Sequence, residues 1–250
     1  MALDDNPFDS GTAGAPPAEA GTREPVPFDI GAVVTRAWEL LTENVVVVLA
    51  AILIPVAITM VFAVPSAIAR TVAENTDEQG VVLVLSLAAT VLSLLQMIVN
   101  IYLELGVTRI FANLAYGRPA RIGMIFGEAV RLPAALLAAF LLTIGIVFGF
   151  VLLIVPGIIL ALGLGFFVYG LIDQDLGPIE SLQESWRLTN GHKAFLFLFA
   201  LVTWFVGMLV TVFTCGLGLF VVGPVLGLSQ AVLYHAMVHE KGRAAEAQLG

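Results

Sequence analysis

Long apolar runs separated by short polar stretches dominate this chain. Residues 132–172 form a run of 41 without Lys, Arg, Asp or Glu, and residues 194–239 form a run of 46. A charge-free run of about 18 residues or more is typical of a membrane-crossing helix, because about 20 residues at about 1.5 Å each span a hydrocarbon core of roughly 30 Å. Each of the two runs is therefore long enough for two crossings.

Turn signals divide the apolar sequence into six predicted transmembrane helices. A proline–glycine break at 155–157 splits the first long run, and a glycine-rich break at 214–218 splits the second. A polar loop over 70–80 separates two earlier spans. The predicted spans are 45–64, 81–103, 134–155, 157–172, 194–214 and 219–238. The second is expected to continue as an amphipathic helix to Gly117, and the predicted fold is an all-α integral membrane protein.

The distribution of basic residues predicts the orientation. With the N-terminus in the cytoplasm, the inside segments are 1–44, 104–133, 173–193 and 239–250. Of the 11 Lys and Arg residues, Arg70 alone falls outside them. Cytoplasmic loops carry an excess of Lys and Arg, so the pattern predicts cytoplasmic N- and C-termini in a plasma membrane.

A short pattern recurs before the first, third and fifth predicted spans. The segments RAWEL, EAVRL and ESWRL each hold two opposite charges three residues apart, a spacing at which helical side chains can pair. Their apolar flanks predict an amphipathic helix in the membrane interface. We interpret the fold as three repeats of an interfacial helix plus a transmembrane hairpin. The alternative stays open that helices entering a membrane share such a pattern without being repeats. The motif residues are Arg36, Trp38, Glu39, Glu128, Arg131, Glu184, Trp186 and Arg187.

The predicted face of each interfacial helix is apolar. It comprises Ile30, Val33, Val34, Ala37, Trp38 and Leu41 in the first copy, Ile122, Ile125, Phe126, Ala129 and Val130 in the second, and Ile179, Leu182 and Trp186 in the third.

Residues 156–197 carry a family resemblance. Pro156-Gly157-Ile158, the acidic-glycine segment 173–178 and the segment SWRLT at 185–189 with Gly191 resemble a group of bacterial and archaeal membrane proteins. The group includes the membrane domain attached to glycerophosphoryl diester phosphodiesterases and the YciC-like proteins. The resemblance covers roughly residues 29–240 and implies a six-helix bundle in a bacterial plasma (inner) membrane. It implies no catalysis here, because no phosphodiesterase domain is expected in residues 240–250.

A polar stripe marks the second predicted span. Ser93, Gln96, Asn100 and Glu104 recur at spacings of three and four, so they share one helix face, which Thr90 and Thr108 extend. Such a face is unfavourable in lipid and favours a bundle interior. It is interpreted either as a set of hydrogen bonds that hold neighbouring helices together, with Glu104 pairing with Arg109, or as a polar path or headgroup site.

Other residue patterns are explained more simply by structure. His235 and His239 have a spacing that could hold a metal, but histidines that end a helix at the interface explain it better, so no metal or other cofactor is predicted. The pairs Gly145/Gly149 and Gly223/Gly227 have helix-packing spacing. Asp173 and Asp175 are paired carboxylates that could bind a cation, but helix capping and turn formation explain them better. Gly163 and Gly165 allow a slightly broken fourth helix.

Composition narrows the function. The chain is 59% hydrophobic and 12% charged, and without a basic run it is not expected to bind nucleic acid. Catalytic signatures are missing, so no enzyme is predicted. Three regions are expected: a disordered acidic cytoplasmic tail (1–28), the six-helix domain (29–240) and a short cytoplasmic tail (241–250). The favoured function is a non-enzymatic module that binds membrane lipids or a cytoplasmic protein partner; the alternative is a small transporter or lipid-translocating protein that uses the polar stripe.

Overall fold

The computed structural model describes residues 23–249, so most of the predicted 1–28 tail lies outside the described residues. Regular structure within that range is helical throughout. In chain order the helices are α1 (Ile30–Glu43), α2 (Val45–Glu74), α3 (Gln79–Tyr116), two short 3-10 helices (Ile122–Phe126 and Ala129–Arg131), α4 (Leu132–Leu152), α5 (Ile154–Leu164), α6 (Phe167–Asp173), α7 (Pro178–Thr189), α8 (Lys193–Phe213) and α9 (Leu219–Leu249).

The prediction of six membrane-length helices is confirmed. Six helical stretches in the described part of the chain are long and apolar enough to cross a membrane, with α5 and α6 together forming the fourth. Their apolar faces are largely uncovered: within the most apolar windows of α2 and α3, 11% and 6% is buried. Packing inside the protein therefore accounts for little of the apolar surface of these helices.

Several helices extend beyond the apolar runs. The helix α2 continues to Glu74 and α3 starts at Gln79, so the predicted loop over 70–80 shrinks to residues 75–78. The helix α9 continues through most of the predicted 241–250 tail, whose Ala, Glu, Lys and Arg residues favour helix. Hydropathy locates the part of a helix that can cross a membrane, whereas residues with high helix propensity extend the helix beyond that part. The predicted end of α3 is confirmed at Gly117, which has a φ of 76°.

Of the two breaks predicted inside the long apolar runs, one lies where the sequence predicts it and the other does not. The break at 214–218 is confirmed, with Gly216 at a φ of 90°. The break predicted at 155–157 lies earlier, because Leu153 is the extended residue between α4 and α5. Pro156 instead belongs to the first turn of α5, where a proline has no helical N–H to lose.

One end of the bundle gathers the polar segments. We call the segments 23–44, 105–131, 173–193 and 239–247 the charged end. Phe28 stacks on His192 at 4.3 Å, His192 pairs with Glu240 at 3.2 Å, and Arg131 pairs with Asp175 at 2.8 Å. These contacts bring together the four segments predicted to share one side of the membrane. Most of the buried core lies at the same end, between α1, the last turns of α3, and α9.

The prediction of an amphipathic α-helix is wrong for the second of the three interfacial segments. Residues 122–131 form two 3-10 helices separated at Gly127, whereas α1 and α7 are α-helices at the positions predicted for the other two. Glycines at 123 and 127 weaken an α-helix. The Tyr102 hydroxyl also donates to the Phe126 carbonyl at 2.6 Å, which holds this segment against α3.

Candidate functional site at the break in the fourth apolar helix

The fourth apolar helix is broken where its glycines are. The helix α5 ends at Leu164 and α6 begins at Phe167, which leaves backbone groups without helical partners. The Phe166 N–H donates to Ser185 Oγ at 3.0 Å, and Ser185 Oγ donates to the Gly163 carbonyl at 2.9 Å. Ser185 is 1% exposed. A side chain of α7 therefore satisfies the break inside the protein, which gives the polar stretch between the two long apolar runs a structural role.

The buried face of α7 differs from the predicted one. Ser181, Ser185, Leu188 and Thr189 are buried, and Thr189 Oγ1 lies 3.0 Å from the same Gly163 oxygen. The predicted apolar face contains Ile179 and Trp186, which are 53% and 37% exposed. Sequence reasoning missed these hydroxyls, although Ser181, Ser185 and Thr189 recur every four residues as one face of a helix would.

A groove opens beside the break, between α5, α8 and α9. Its volume is about 270 Å³. It is mainly apolar, with a hydroxyl from Thr203, an amide from Gln230 and the indole of Trp204, and its described lining contains no titratable side chain. The lining residues are Ala161, Leu162, Gly165, Phe166, Leu196, Phe199, Ala200, Thr203, Trp204, Leu226, Gln230 and Leu233. The mainly apolar lining is suited to binding an apolar chain.

A tryptophan and a lysine from the charged end lie close to α5 beside this groove. Trp186 packs on Gly163, since a β-carbon built on that glycine would lie 2.5 Å from the indole. Lys193 Nζ lies 3.0 Å from the centroid of the Trp186 ring, a cation–π contact. The tryptophan singled out by sequence thus joins α7, α5 and α8.

The three predicted charge pairs form. Arg36 lies 3.0 Å from Glu39, Arg187 lies 2.7 Å from Glu184, and Arg131 pairs with Glu128. The hydrogen bonds that Arg187 donates to the Glu184 carboxylate raise the pKa of Arg187 above its ordinary value. Ion pairs that remain partly exposed, such as those of Arg36 and Arg187, contribute up to about 1 kcal/mol each. A role for the motif in binding lipids or a protein partner stays a prediction.

The polar stripe connects α3 to α2. Thr59 Oγ1 donates to Asn100 Oδ1 at 2.7 Å, and Arg70 Nη2 donates to Ser93 Oγ at 2.7 Å. Gln96 is half-buried, with no hydrogen bond among the described residues. These bonds favour the interpretation that the stripe holds neighbouring helices together by hydrogen bonds.

The expected pairing of Glu104 with Arg109 is wrong. Arg109 Nη1 donates to the Ile172 carbonyl at 2.6 Å, and its Nε lies 3.9 Å from Glu128. The Glu104 side chain is exposed and forms no ion pair among the described residues. Residue 109 is five positions after residue 104, a spacing that points the two side chains in different directions around the helix.

Replacing Asn100 by leucine is expected to lower the free energy of unfolding by roughly 0.6 kcal/mol, the average for a hydrogen bond between helices in a membrane protein. Thermal unfolding in detergent would measure the change. A double variant with Thr59→Val should lose no more than the single variant, because the bond is already absent. Additive losses would show that the two side chains act through separate partners.

A buried ion pair joins α6 to the segment after α3. Asp173, whose side chain is 5% exposed, accepts from Arg118 Nη1 at 3.1 Å and from the Tyr116 hydroxyl at 3.2 Å. The Tyr116 ring lies 4.4 Å from the His235 ring of α9. Sequence reasoning assigned Asp173 to a turn and missed this cluster, because Asp173 and Arg118 are 55 positions apart and give no local signal.

Comparison with known proteins gives one family match. The model of the family described as Domain of unknown function (DUF7847) matches residues 102–240. That range contains the break, the groove and the Asp173 cluster. No curated protein and no solved structure matches the chain.

Proposed function

The chain belongs to the DUF7847 family, and from the groove beside its broken fourth helix we propose that it is a non-enzymatic, multi-pass membrane protein that binds a membrane lipid.

Insertion into a membrane is supported by the exposed apolar faces of the helices. Soluble monomers rarely expose contiguous apolar patches above a few hundred Å². Here the exposed large side chains recur along the whole length of the apolar helices, as at Leu83, Phe148 and Phe213, which are 62%, 63% and 83% exposed. Lipid is the solvent in which such faces are stable.

The charged end is assigned to the cytoplasm. It gathers the segments that hold all Lys and Arg residues except Arg70, and cytoplasmic segments carry such an excess. Trp38 of α1 is 50% exposed at this end, which suits an indole at the depth of the lipid headgroups. Both termini then lie in the cytoplasm, and the resemblance to bacterial six-helix proteins implies the plasma membrane.

The groove is the single observation that carries the proposed function. Its volume of about 270 Å³ lies just below the range of roughly 300–1,000 Å³ for sites that enclose a small molecule. Discontinuous helices line the substrate sites of some transporters, where irregular backbone is tolerated beside a cavity. Here Ser185 satisfies that backbone, so the broken helix provides a stable wall. Translocation along α3 has less support, because Ser93 and Asn100 are bonded to α2.

Replacing Ala200 by phenylalanine is expected to remove the bound lipid. Ala200 lines the groove, and a benzyl group there would occupy the space of an acyl chain. Native mass spectrometry of protein released gently from its membrane reports retained lipid directly. We expect the lipid-bound fraction to fall at least about tenfold, which requires a loss of at least about 1.4 kcal/mol of binding free energy.

The matched control is Val202→Phe, which places the same ring on the opposite, 36% exposed side of α8. This variant should retain the lipid as the wild type does. A wild-type protein that carries no lipid, or an Ala200→Phe variant that retains as much lipid as Val202→Phe, would contradict the proposed function.

A further inference from the structure

A lysine stands at the charged end of the groove, on the face of α8 that lines it. Leu196, Ala200 and Thr203 line the groove, and Lys193 precedes them by three, seven and ten residues, a spacing that keeps side chains on one helix face. The lysine stem also approaches α5, since a β-carbon on Gly163 would lie 3.6 Å from its Cε atom. Lys193 is therefore placed where a chain lying in the groove would emerge.

The charge of Lys193 is available to a ligand. The carboxylates of Glu184 and Glu240 each have another partner, Arg187 at 2.7 Å and His192 at 3.2 Å respectively. Within the described residues, Lys193 forms no salt bridge, and its ammonium lies over the Trp186 ring. An aromatic face attracts and positions a cation without neutralising its charge. The end of the groove is therefore positively charged.

The length from Lys193 to Trp204, the last residue of α8 that lines the groove, matches one acyl chain in one leaflet. Lys193 and Trp204 are 11 residues apart on α8, which is about 16 Å at about 1.5 Å per residue. Half of a hydrocarbon core of roughly 30 Å is about 15 Å. A chain that enters beside Lys193 thus ends near the middle of the bilayer. A volume of about 270 Å³ is too small for a complete diacyl lipid and leaves its headgroup at the end of the groove.

Building on the proposed function, we propose that the lipid is an anionic phospholipid from the leaflet at the charged end. One acyl chain lies in the groove and the phosphate is bound by Lys193, whose ammonium is positioned by Trp186. A zwitterionic headgroup brings its own cation, which competes with Lys193 for the phosphate. An anionic headgroup has no such competitor, so it is preferred.

The test is a lipid titration of the purified full-length protein in detergent, read by native mass spectrometry. The probes are phosphatidylglycerol and phosphatidylcholine with identical acyl chains. The wild type is expected to prefer phosphatidylglycerol about fivefold, the contribution of one basic residue at an anionic lipid surface. Lys193→Gln should abolish the preference while lipid of either kind still binds. Arg243→Gln, which removes a positive charge from the same end outside the groove, should keep the preference.

The outcomes separate the two proposals. A Lys193→Gln variant that retains the preference would show that the headgroup assignment is wrong, while lipid binding in the groove would stand. A wild type that binds neither probe would refute the proposed function itself. A lipid-free dimer would overturn both proposals, because a second copy of the chain would then cover the groove.

Discussion

Replacing Gly106 by alanine is expected to destabilise the fold strongly. Gly106 lies in α3, and a β-carbon there would overlap the backbone carbonyl and Cα of Ile125, so no side-chain rotation can relieve the contact. Overpacking typically costs 1–3 kcal/mol, and a backbone overlap belongs at the upper end of that range, about 3 kcal/mol. Thermal unfolding in detergent should show a fall of roughly 10 °C for a chain of this size.

Gly145→Ala provides the matched control for this prediction. It makes the same substitution within α4, where a β-carbon would meet nothing within 4 Å. Alanine favours a helix by up to about 1 kcal/mol over glycine, so this variant should be as stable as the wild type or slightly more stable. Equal unfolding temperatures for Gly106→Ala and Gly145→Ala would show that the segment around Ile125 is free to move away from α3.

The glycine pairs show how much of helix packing a sequence pattern can predict. The pairs Gly145/Gly149 and Gly223/Gly227 both have helix-packing spacing, yet one member of each makes a close contact. A β-carbon on Gly149 would lie 2.9 Å from Gly157, and one on Gly227 would lie 2.5 Å from Phe111, while the other two face open space. Spacing along one helix indicates a face, but the partner helix determines which residue on that face is contacted.

Hydropathy and charge spacing predict the local features of this fold. Apolar runs locate the six helices because crossing a membrane requires about 20 apolar residues. The charge pairs of Arg36 and Arg187 form because residues three apart are neighbours on any helix. The segment after α3 departs from prediction because Gly123 and Gly127 permit another conformation, and its packing on α3 stabilises that conformation.

The candidate site depends on contacts that are distant in sequence. Gly163 and Gly165 indicate a weakened helix, but the break is stabilised by Ser185, which bonds to a carbonyl 22 positions away. The groove likewise requires α5, α8 and α9 to meet, and no pattern within a single helix specifies that arrangement. For the same reason, Asp173 reads as a turn residue in the sequence and is a buried ion-pair partner in the structure.

Replacing Asp173 by asparagine is expected to lower the free energy of unfolding by about 3 kcal/mol. Removing one partner of a buried ion pair costs roughly 3–5 kcal/mol, because the remaining charge loses the attraction that offsets its desolvation. Arg118 is 17% exposed, so water reaches part of the guanidinium and the loss belongs at the lower end. Asparagine keeps the shape of the side chain and an oxygen that can accept from Tyr116, so the substitution isolates the charge. Thermal unfolding in detergent measures the loss.

Asp175→Asn is the control for charge removal at the charged end. Asp175 is two positions away and pairs with Arg131 at 2.8 Å, but its side chain is 81% exposed. Its φ of 54° is a conformation that asparagine also tolerates. The loss should therefore be at most about 1 kcal/mol.

A double variant that combines Asp173→Asn with Arg118→Gln tests the coupling between these two residues. It should be more stable than the sum of the losses of the two single variants implies. If Asp173→Asn lowers the free energy of unfolding no more than Asp175→Asn does, the Asp173–Arg118 pair does not hold α6 to the segment after α3.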